Sequence, residues 1–218
     1  FLAAYLSTLV GNRFILTGSN RMKERPIKEL VDTLLDLGIE IKYLEKMGFP
    51  PLSILGTEIT ENKVSIDGQI SSQFISAILL IAPTLKNGIK LKIPGEIVSK
   101  PYIIMTLKLM QEFGIIHTWQ KNTIEIIPQK YSAKDFNIEA DWSAASFWYE
   151  IAALSNGCNI KLMGLTENSI QGDKKVIELF ENLGVQTKFK NGSIILTKKE
   201  ENIISKEINL ISTPDLYQ

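Results

Sequence analysis

GNRFILTG (residues 11–18), GIKLKIPG (residues 88–95) and GCNIKLMG (residues 157–164) are three versions of one phrase: glycine, six residues rich in apolar side chains, glycine. Past each phrase the chain runs through a loop and an amphipathic stretch to a further glycine. These are Gly38, Gly114 and Gly184, lying 20, 19 and 20 residues beyond the preceding glycine. Matching intervals at three places mark an internal repeat, and a repeat sets the architecture. The amphipathic stretches carry apolar faces at helical spacing: Ile27, Leu30, Val31, Leu34 and Leu35; then Ile103, Leu107 and Met110; then Val176, Ile177, Phe180 and Leu183. Each ends at a glycine suited to a left-handed C-cap. Strand-like segments follow at 39–43, at 115–119 with 123–127, and at 185–188 with 193–197, with Lys121-Asn122 and Asn191-Gly192 as hairpin turns. Apolar, small-residue helices are expected ahead of the phrases, at 2–9, 72–82 and 144–154. The unit is helix, strand, helix, strand, strand, with one more strand expected in front. That predicts an α/β fold of repeated βαβαββ units, with mixed sheets around buried helices.

The 218 residues are 44% hydrophobic and 22% charged, enough to bury the core of one large domain or two small ones. No apolar run approaches the roughly 20 residues of a membrane span, and residues 1–10 lack the basic flank of a signal peptide, so a soluble cytoplasmic protein is expected. The single cysteine, Cys158, excludes an internal disulfide framework and a thiolate cluster within one chain, and is expected to be buried and inert. Lys plus Arg and Asp plus Glu each number 24, which gives no general attraction to nucleic acid or anionic lipid. Any anion site must be local. The chain starts at Phe1 inside a helical pattern and stops after a Pro214-Asp215 turn, so we read it as part of a longer protein.

Two of its three arginines stand four residues apart in Arg21-Met22-Lys23-Glu24-Arg25-Pro26, at the mouth of the first amphipathic helix, while every cation other than Arg13 is lysine. A guanidinium grips carboxylate or phosphate with two parallel hydrogen bonds, which an ammonium does not, so this segment reads either as an anion clamp or as a solvated first turn. Other helix starts are also rich in polar groups: Ser71-Ser72-Gln73, Ser99-Lys100-Pro101-Tyr102 and Asp141-Trp142-Ser143. Helix N-termini present unpaired N–H groups and the positive end of the dipole, a setting for phosphate. Capping accounts for any one serine. Two hydroxyls and a carboxamide in a row exceed what one cap needs. His117, the only histidine, is expected to be structural and hydrogen-bonded.

At these residues the chain resembles the 5-enolpyruvylshikimate-3-phosphate synthase family of enolpyruvyl transferases. The resemblance runs through Leu16-Thr17-Gly18 with Arg21 to Ile27, Gly48-Phe49-Pro50-Pro51-Leu52, Ser71-Ser72-Gln73-Phe74, Ser99-Lys100-Pro101-Tyr102, Glu139 to Ser146, Gln171-Gly172-Asp173 and Thr213-Pro214-Asp215, nearly the whole chain. It implies two lobes of the inside-out α/β barrel type, each built of three βαβαββ units. Residues 1–138 would be most of one lobe and residues 139–218 about one repeat of the other. It implies transfer of a carboxyvinyl group from phosphoenolpyruvate to the 5-hydroxyl of shikimate 3-phosphate, with no metal or other cofactor. The resemblance gives shikimate 3-phosphate to Ser71, Ser72, Gln73, Ser99, Tyr102 and Asp215, phosphoenolpyruvate to Arg25 and Gln73, and the catalytic proton transfer to Asp215. Small-molecule substrates, a monomer, and neither nucleic acid nor membrane as partner are the corresponding expectations. The family's early Lys-Ser pair and the later Glu, Arg and Lys of its second lobe would lie outside residues 1–218, so these residues alone are expected to bind weakly and not turn over. Trp142 and Trp148 stand where the family has smaller residues. The alternatives are enolpyruvyl transfer to UDP-N-acetylglucosamine, a non-catalytic phosphate-binding module of the same fold, and RNA-end processing, which wants a nucleophilic histidine and a basic groove.

Overall fold

A computed structural model describes residues 1–199 and 207–217, and the chain divides into two compact units, residues 1–134 and 135–218. The first unit runs α1 (Leu2–Ser7), β1 (Arg13–Leu16), α2 (Asn20–Lys23), α3 (Lys28–Asp36), β2 (Glu40–Tyr43), β3 (Leu52–Leu55), β4 (Lys63–Ser65), α4 (Ser72–Ile81), β5 (Ile89–Lys92), α5 (Lys100–Glu112), β6 (Thr118–Gln120) and β7 (Thr123–Ile126). The second holds α6 (Trp142–Leu154), β8 (Asn159–Met163), α7 (Val176–Glu181), β9 (Val185–Lys190) and β10 (Ser193–Lys198).

Among the described residues, three open sheets match the three phrases. Their orders are β1-β3-β2, β4-β5-β7-β6 and β8-β10-β9. In every copy the phrase strand pairs antiparallel with the last strand of that copy, which pairs antiparallel with the middle one: Phe14 faces Ile54, Leu91 faces Ile124 and Leu162 faces Ile194. The second copy also carries the leading strand, β4, parallel to β5, and so completes the βαβαββ unit. The strand expected ahead of α6 does not form. There the chain enters the helix without regular structure, and the Ala140 N–H donates to the Gly164 carbonyl at 2.8 Å, tying it to the end of β8.

Gly38, Gly114 and Gly184 are all left-handed, with φ of +87°, +85° and +79°, at the ends of α3, α5 and α7. Asn191 and Gly192, with φ of +47° and +67°, turn β9 into β10, the conformation a two-residue hairpin requires. The apolar faces pack as their spacing predicts: Leu30, Val31 and Leu34 of α3, Ile75, Ile78 and Leu79 of α4, and Ile103, Leu107 and Met110 of α5 are buried in one cluster with Leu52, Ile54, Leu91 and Ile124 of the sheets. Each such side chain contributes about 1.5–3 kcal/mol by leaving water. Leu35 departs from the expectation, being 43% exposed. In β5, Ile89 and Leu91 face the core and Lys90 and Lys92 face solvent, the period-two pattern of a half-covered sheet.

The second unit has its own core around Trp142, Tyr149, Val176, Val185, Ile194 and Leu196. Trp142 is fully buried, tilted against Phe189 with ring centroids 6.4 Å apart, while Trp148 remains about half exposed. The Tyr149 hydroxyl bonds Thr187 at 2.8 Å, and burial pushes its ionisation up to about 12. Cys158 is half-buried rather than buried, its Sγ 3.9 Å from the Leu196 carbonyl. His117 precedes β6, and its Nδ1 is buried with no hydrogen-bond partner among the described residues, against the expectation that it would be satisfied.

Candidate active site

The starts of α4 and α5 lie side by side in the first unit. Ile66 donates its N–H to the Lys92 carbonyl at 3.0 Å, Gly68 N–H reaches the Pro94 carbonyl at 2.9 Å, and Val98 N–H returns to the Gly68 carbonyl at 3.0 Å. These bonds tie the loop leading into α4 to the loop leading into α5. Further along, Ser76 Oγ and Thr106 Oγ1 are 2.8 Å apart, so the two helices run parallel from neighbouring starts. Gly68 permits the approach. A Cβ there would stand 2.8 Å from the Glu96 carbonyl oxygen and 3.1 Å from Ile97 Cα, backbone atoms that cannot swing away.

This arrangement collects Ser71, Ser72, Gln73, Ser99 and Tyr102 around two adjacent helix N-termini. Ser71 is the N-cap of α4 and its Oγ accepts from the Gln73 N–H at 3.3 Å, so one hydroxyl of the triplet performs ordinary capping. Ser72 is buried and Gln73 exposed. Ser99 is the N-cap of α5 in the left-handed region, φ +57°, and its side chain makes no cap bond. A left-handed L-residue costs about 1–2 kcal/mol, and the usual compensation for an N-cap serine is missing. Tyr102 stands in the first turn of α5, its N–H on the Ser99 carbonyl at 3.1 Å. Lys100 directs its ammonium over the Trp119 ring, 5.1 Å from the centroid. Two parallel dipole ends with a hydroxyl at each suit a phosphate monoester.

The three arginines divide by environment. Arg13 donates from Nη2 to Glu40 Oε1 at 3.1 Å and from Nη1 to Ser53 Oγ at 3.2 Å, and that guanidinium, together with Lys42, holds the Glu40 carboxyl below its usual range. Arg21 and Arg25 are exposed, and neither has an ion pair among the described residues. Arg21 is in α2, whereas Arg25 is in the turn between α2 and α3, in the first copy of the repeat.

Asp215 belongs to the second unit, exposed on the single helical turn Pro214–Leu216. Before it, Thr213 is buried and its Oγ1 has no hydrogen-bond partner among the described residues; after it, Leu216 joins the core. The start of α6 in the same unit is occupied by its own side chains. Asp141 Oδ1 accepts from the Ser143 N–H at 2.8 Å. The Gln171 carboxamide accepts from the Trp142 N–H at 2.9 Å and donates to the Ala140 carbonyl at 2.8 Å. The buried Asp173 carboxylate accepts from the Ser143 hydroxyl, and Glu139 accepts from Ser169 at 2.7 Å and Thr166 at 3.2 Å. Glu139-Ala140-Asp141 and Gln171-Gly172-Asp173 therefore form a closed polar joint that stands in for the missing strand. Among the described residues no three His, Cys, Asp or Glu side chains are arranged to hold a metal ion, and no helix is long and apolar enough to cross a membrane.

The family profile described as EPSP synthase (3-phosphoshikimate 1-carboxyvinyltransferase) matches residues 1–217. The chain belongs to the EPSP synthase family. A 3-phosphoshikimate 1-carboxyvinyltransferase of Bacteroides fragilis (strain YCH46) is 47% identical over 219 residues, covering 100% of this chain and 53% of that protein. One from Vibrio cholerae serotype O1 (strain M66-2) is 42% identical over 213 residues, covering 96% and 50%. The chain thus spans about half the length of the relatives it matches. In three dimensions it is similar to an EPSP synthase from Acinetobacter baumannii, with a TM-score of 0.65 at 22% identity over 90% of this chain and 44% of that one. It is also similar to the enolpyruvyl transferase NikO from Streptomyces tendae, with a TM-score of 0.58 at 14% identity over 89% and 45%. These likenesses agree on the EPSP synthase α/β fold. Sequence reading missed Gly68, whose only signal, the dipeptide Asp67-Gly68, marks a turn without saying what the turn touches.

Proposed function

We propose that this chain supplies the phosphate-binding corner and the attacking-hydroxyl aspartate of an enzyme that transfers carboxyvinyl from phosphoenolpyruvate to the 5-hydroxyl of shikimate 3-phosphate. The observation that supports the reading is the hydrogen bonding between the loops leading into α4 and α5, at whose starts Ser71, Ser72 and Ser99 stand, in a chain of the EPSP synthase family. Ser71, Ser72 and Ser99 hold the phosphate of shikimate 3-phosphate, with Gln73 and Tyr102 against its ring. Arg25 takes phosphoenolpyruvate, helped by Gln73. Asp215 removes the proton of the 5-hydroxyl as that oxygen adds to C2 of phosphoenolpyruvate and its methylene gains a proton, giving a tetrahedral ketal phosphate. Loss of phosphate from C2 and of a proton from the new methyl restores the double bond. Two polyanions must be held together against their repulsion, which fixed cations and N–H dipoles accomplish without reorganising.

The balanced charge of the chain, 24 of each sign, supports small anions rather than nucleic acid as partners, and a cytoplasmic monomer is part of the same proposal. Calorimetry on the complete polypeptide, of the length its relatives have, tests it with three titrants: shikimate 3-phosphate, UDP-N-acetylglucosamine and a short RNA. Only the first should bind. Arg25→Ala should weaken phosphoenolpyruvate and leave shikimate 3-phosphate alone; equal affinity for phosphoenolpyruvate in that variant would remove Arg25 from the site.

A further inference from the structure

Arg25 stands outside regular helix, between the end of α2 at Lys23 and the start of α3 at Lys28, so neither helix alone sets the direction of its side chain. The segment that carries it is held by the loop 44–51 between β2 and β3. Two residues before Arg25, the Lys23 ammonium pairs with Glu45 Oε1 at 2.9 Å. Two residues after it, the Ile27 N–H donates to the Gly48 carbonyl at 2.9 Å. The same loop therefore holds the segment on both sides of Arg25. The loop is itself braced: Leu44 N–H bonds the Pro51 carbonyl at 3.0 Å, Phe49 N–H bonds the Lys46 carbonyl at 3.1 Å, and the Lys46 ammonium sits 4.2 Å from the Phe49 ring centroid. Its two ends are the paired strands β2 and β3, so the frame that carries Arg25 is the first sheet.

We propose that Glu45, acting through Lys23, and the Gly48 carbonyl, acting through the Ile27 amide, are positioning groups that aim the Arg25 guanidinium at the carboxylate-bearing substrate. The inference rests on the role given to Arg25 above. Arg25 itself has no ion pair among the described residues, and a guanidinium that must be ordered on binding loses affinity to that ordering. Holding the segment by a side-chain pair at Lys23 and a backbone bond at Ile27 confines where the fork can reach before the substrate arrives. The rival view is that Lys23 and Glu45 are an ordinary solvated pair with no bearing on function.

The two views differ in sign as well as size. Removing an acidic side chain close to an anion site strengthens anion binding if only charge matters, whereas loss of a positioning group weakens it. In the complete polypeptide, Glu45→Gln should raise KM for phosphoenolpyruvate about three- to fivefold, the scale of a surface ion pair. It should leave kcat within about twofold and KM for shikimate 3-phosphate unchanged, the pattern of lost ground-state binding. Combining it with Lys23→Met should be no worse than either change alone, because both break one link. An unchanged or lowered KM for phosphoenolpyruvate in Glu45→Gln, beside an Arg25→Ala variant that raises it about tenfold or more, overturns the positioning role and leaves the function standing. A rise in both KM values alike also overturns it, as general loosening. If Arg25→Ala leaves phosphoenolpyruvate unaffected, the failure is in the role of Arg25 itself.

Discussion

Replacing Gly68 with alanine puts one methyl group where two helix-leading loops touch. The added carbon would lie 2.8 Å from the Glu96 carbonyl oxygen, 3.1 Å from Ile97 Cα and 3.2 Å from the Glu96 carbonyl carbon. Gly68 is not among the glycines in the left-handed region, so in the folded state the substitution acts through contact and not through backbone strain. Forcing such contacts apart costs about 1–3 kcal/mol. The bonds that Gly68 makes to Pro94 and Val98 are then stretched, and each contributes about 1 kcal/mol. We expect Gly68→Ala to lose about 2–4 kcal/mol in urea denaturation, with an unchanged slope. Separating the α4 and α5 starts should also break at least one charge-assisted bond to the phosphate, about 1.5–3 kcal/mol, which weakens shikimate 3-phosphate by about ten- to a hundredfold in calorimetry. Gly157→Ala is the control. Nothing lies within 4 Å of a Cβ there and the backbone is not left-handed, so it should fall within about 0.5 kcal/mol of the parent. A Gly68→Ala protein with parental stability and parental affinity would refute the claim that this contact holds the phosphate corner together.

Ser99→Gly relieves the left-handed strain at φ +57° but loosens the unfolded chain, and should be about 0.5–1 kcal/mol more stable than Ser99→Ala. Both should lose affinity for shikimate 3-phosphate alike, and denaturation with calorimetry on the pair checks both halves. Burial holds the His117 ring below its ordinary value of 6.5, so the unfolded chain takes up a proton that the folded chain refuses. Its contribution is present above about pH 6.5 and declines as the pH falls below it. His117→Gln should flatten that decline in urea midpoints taken from about pH 7 to 5; parallel curves for parent and variant would contradict it.

The repeat was legible because its signals are local. A glycine that must be left-handed, such as Gly114 at the end of α5, announces a helix stop wherever it occurs, and the 3.6-residue spacing of Ile103, Leu107 and Met110 needs no knowledge of what covers them. Contacts between segments distant in sequence were not legible. β3 follows a loop with consecutive prolines and became visible as a strand only through its partners β1 and β2. The segment before α6 has the residues of a strand position, but Glu139 and Gln171 bond it through side chains, and no periodicity distinguishes the two outcomes. At the site, polar helix starts pointed to Ser71 and Ser99 but could not tell a serine that caps from one that does not. That difference depends on a single backbone angle at Ser99. Glu45 was invisible for the same reason as Gly68: its importance is entirely in what lies across from it.

The order of strands within each copy has a consequence for how the chain is made. The centre of the first and third sheets, β3 and β10, is the strand that leaves the ribosome last in its copy, and β6 joins the second sheet only through β7. A nascent chain that has delivered β1, α3 and β2 still has two ribbons with no ladder between them until residues 52–55 emerge. Domains form as units during synthesis; in the first and third copies an arrest one strand short leaves no ladder at all, whereas in the second β4 and β5 already pair without β7.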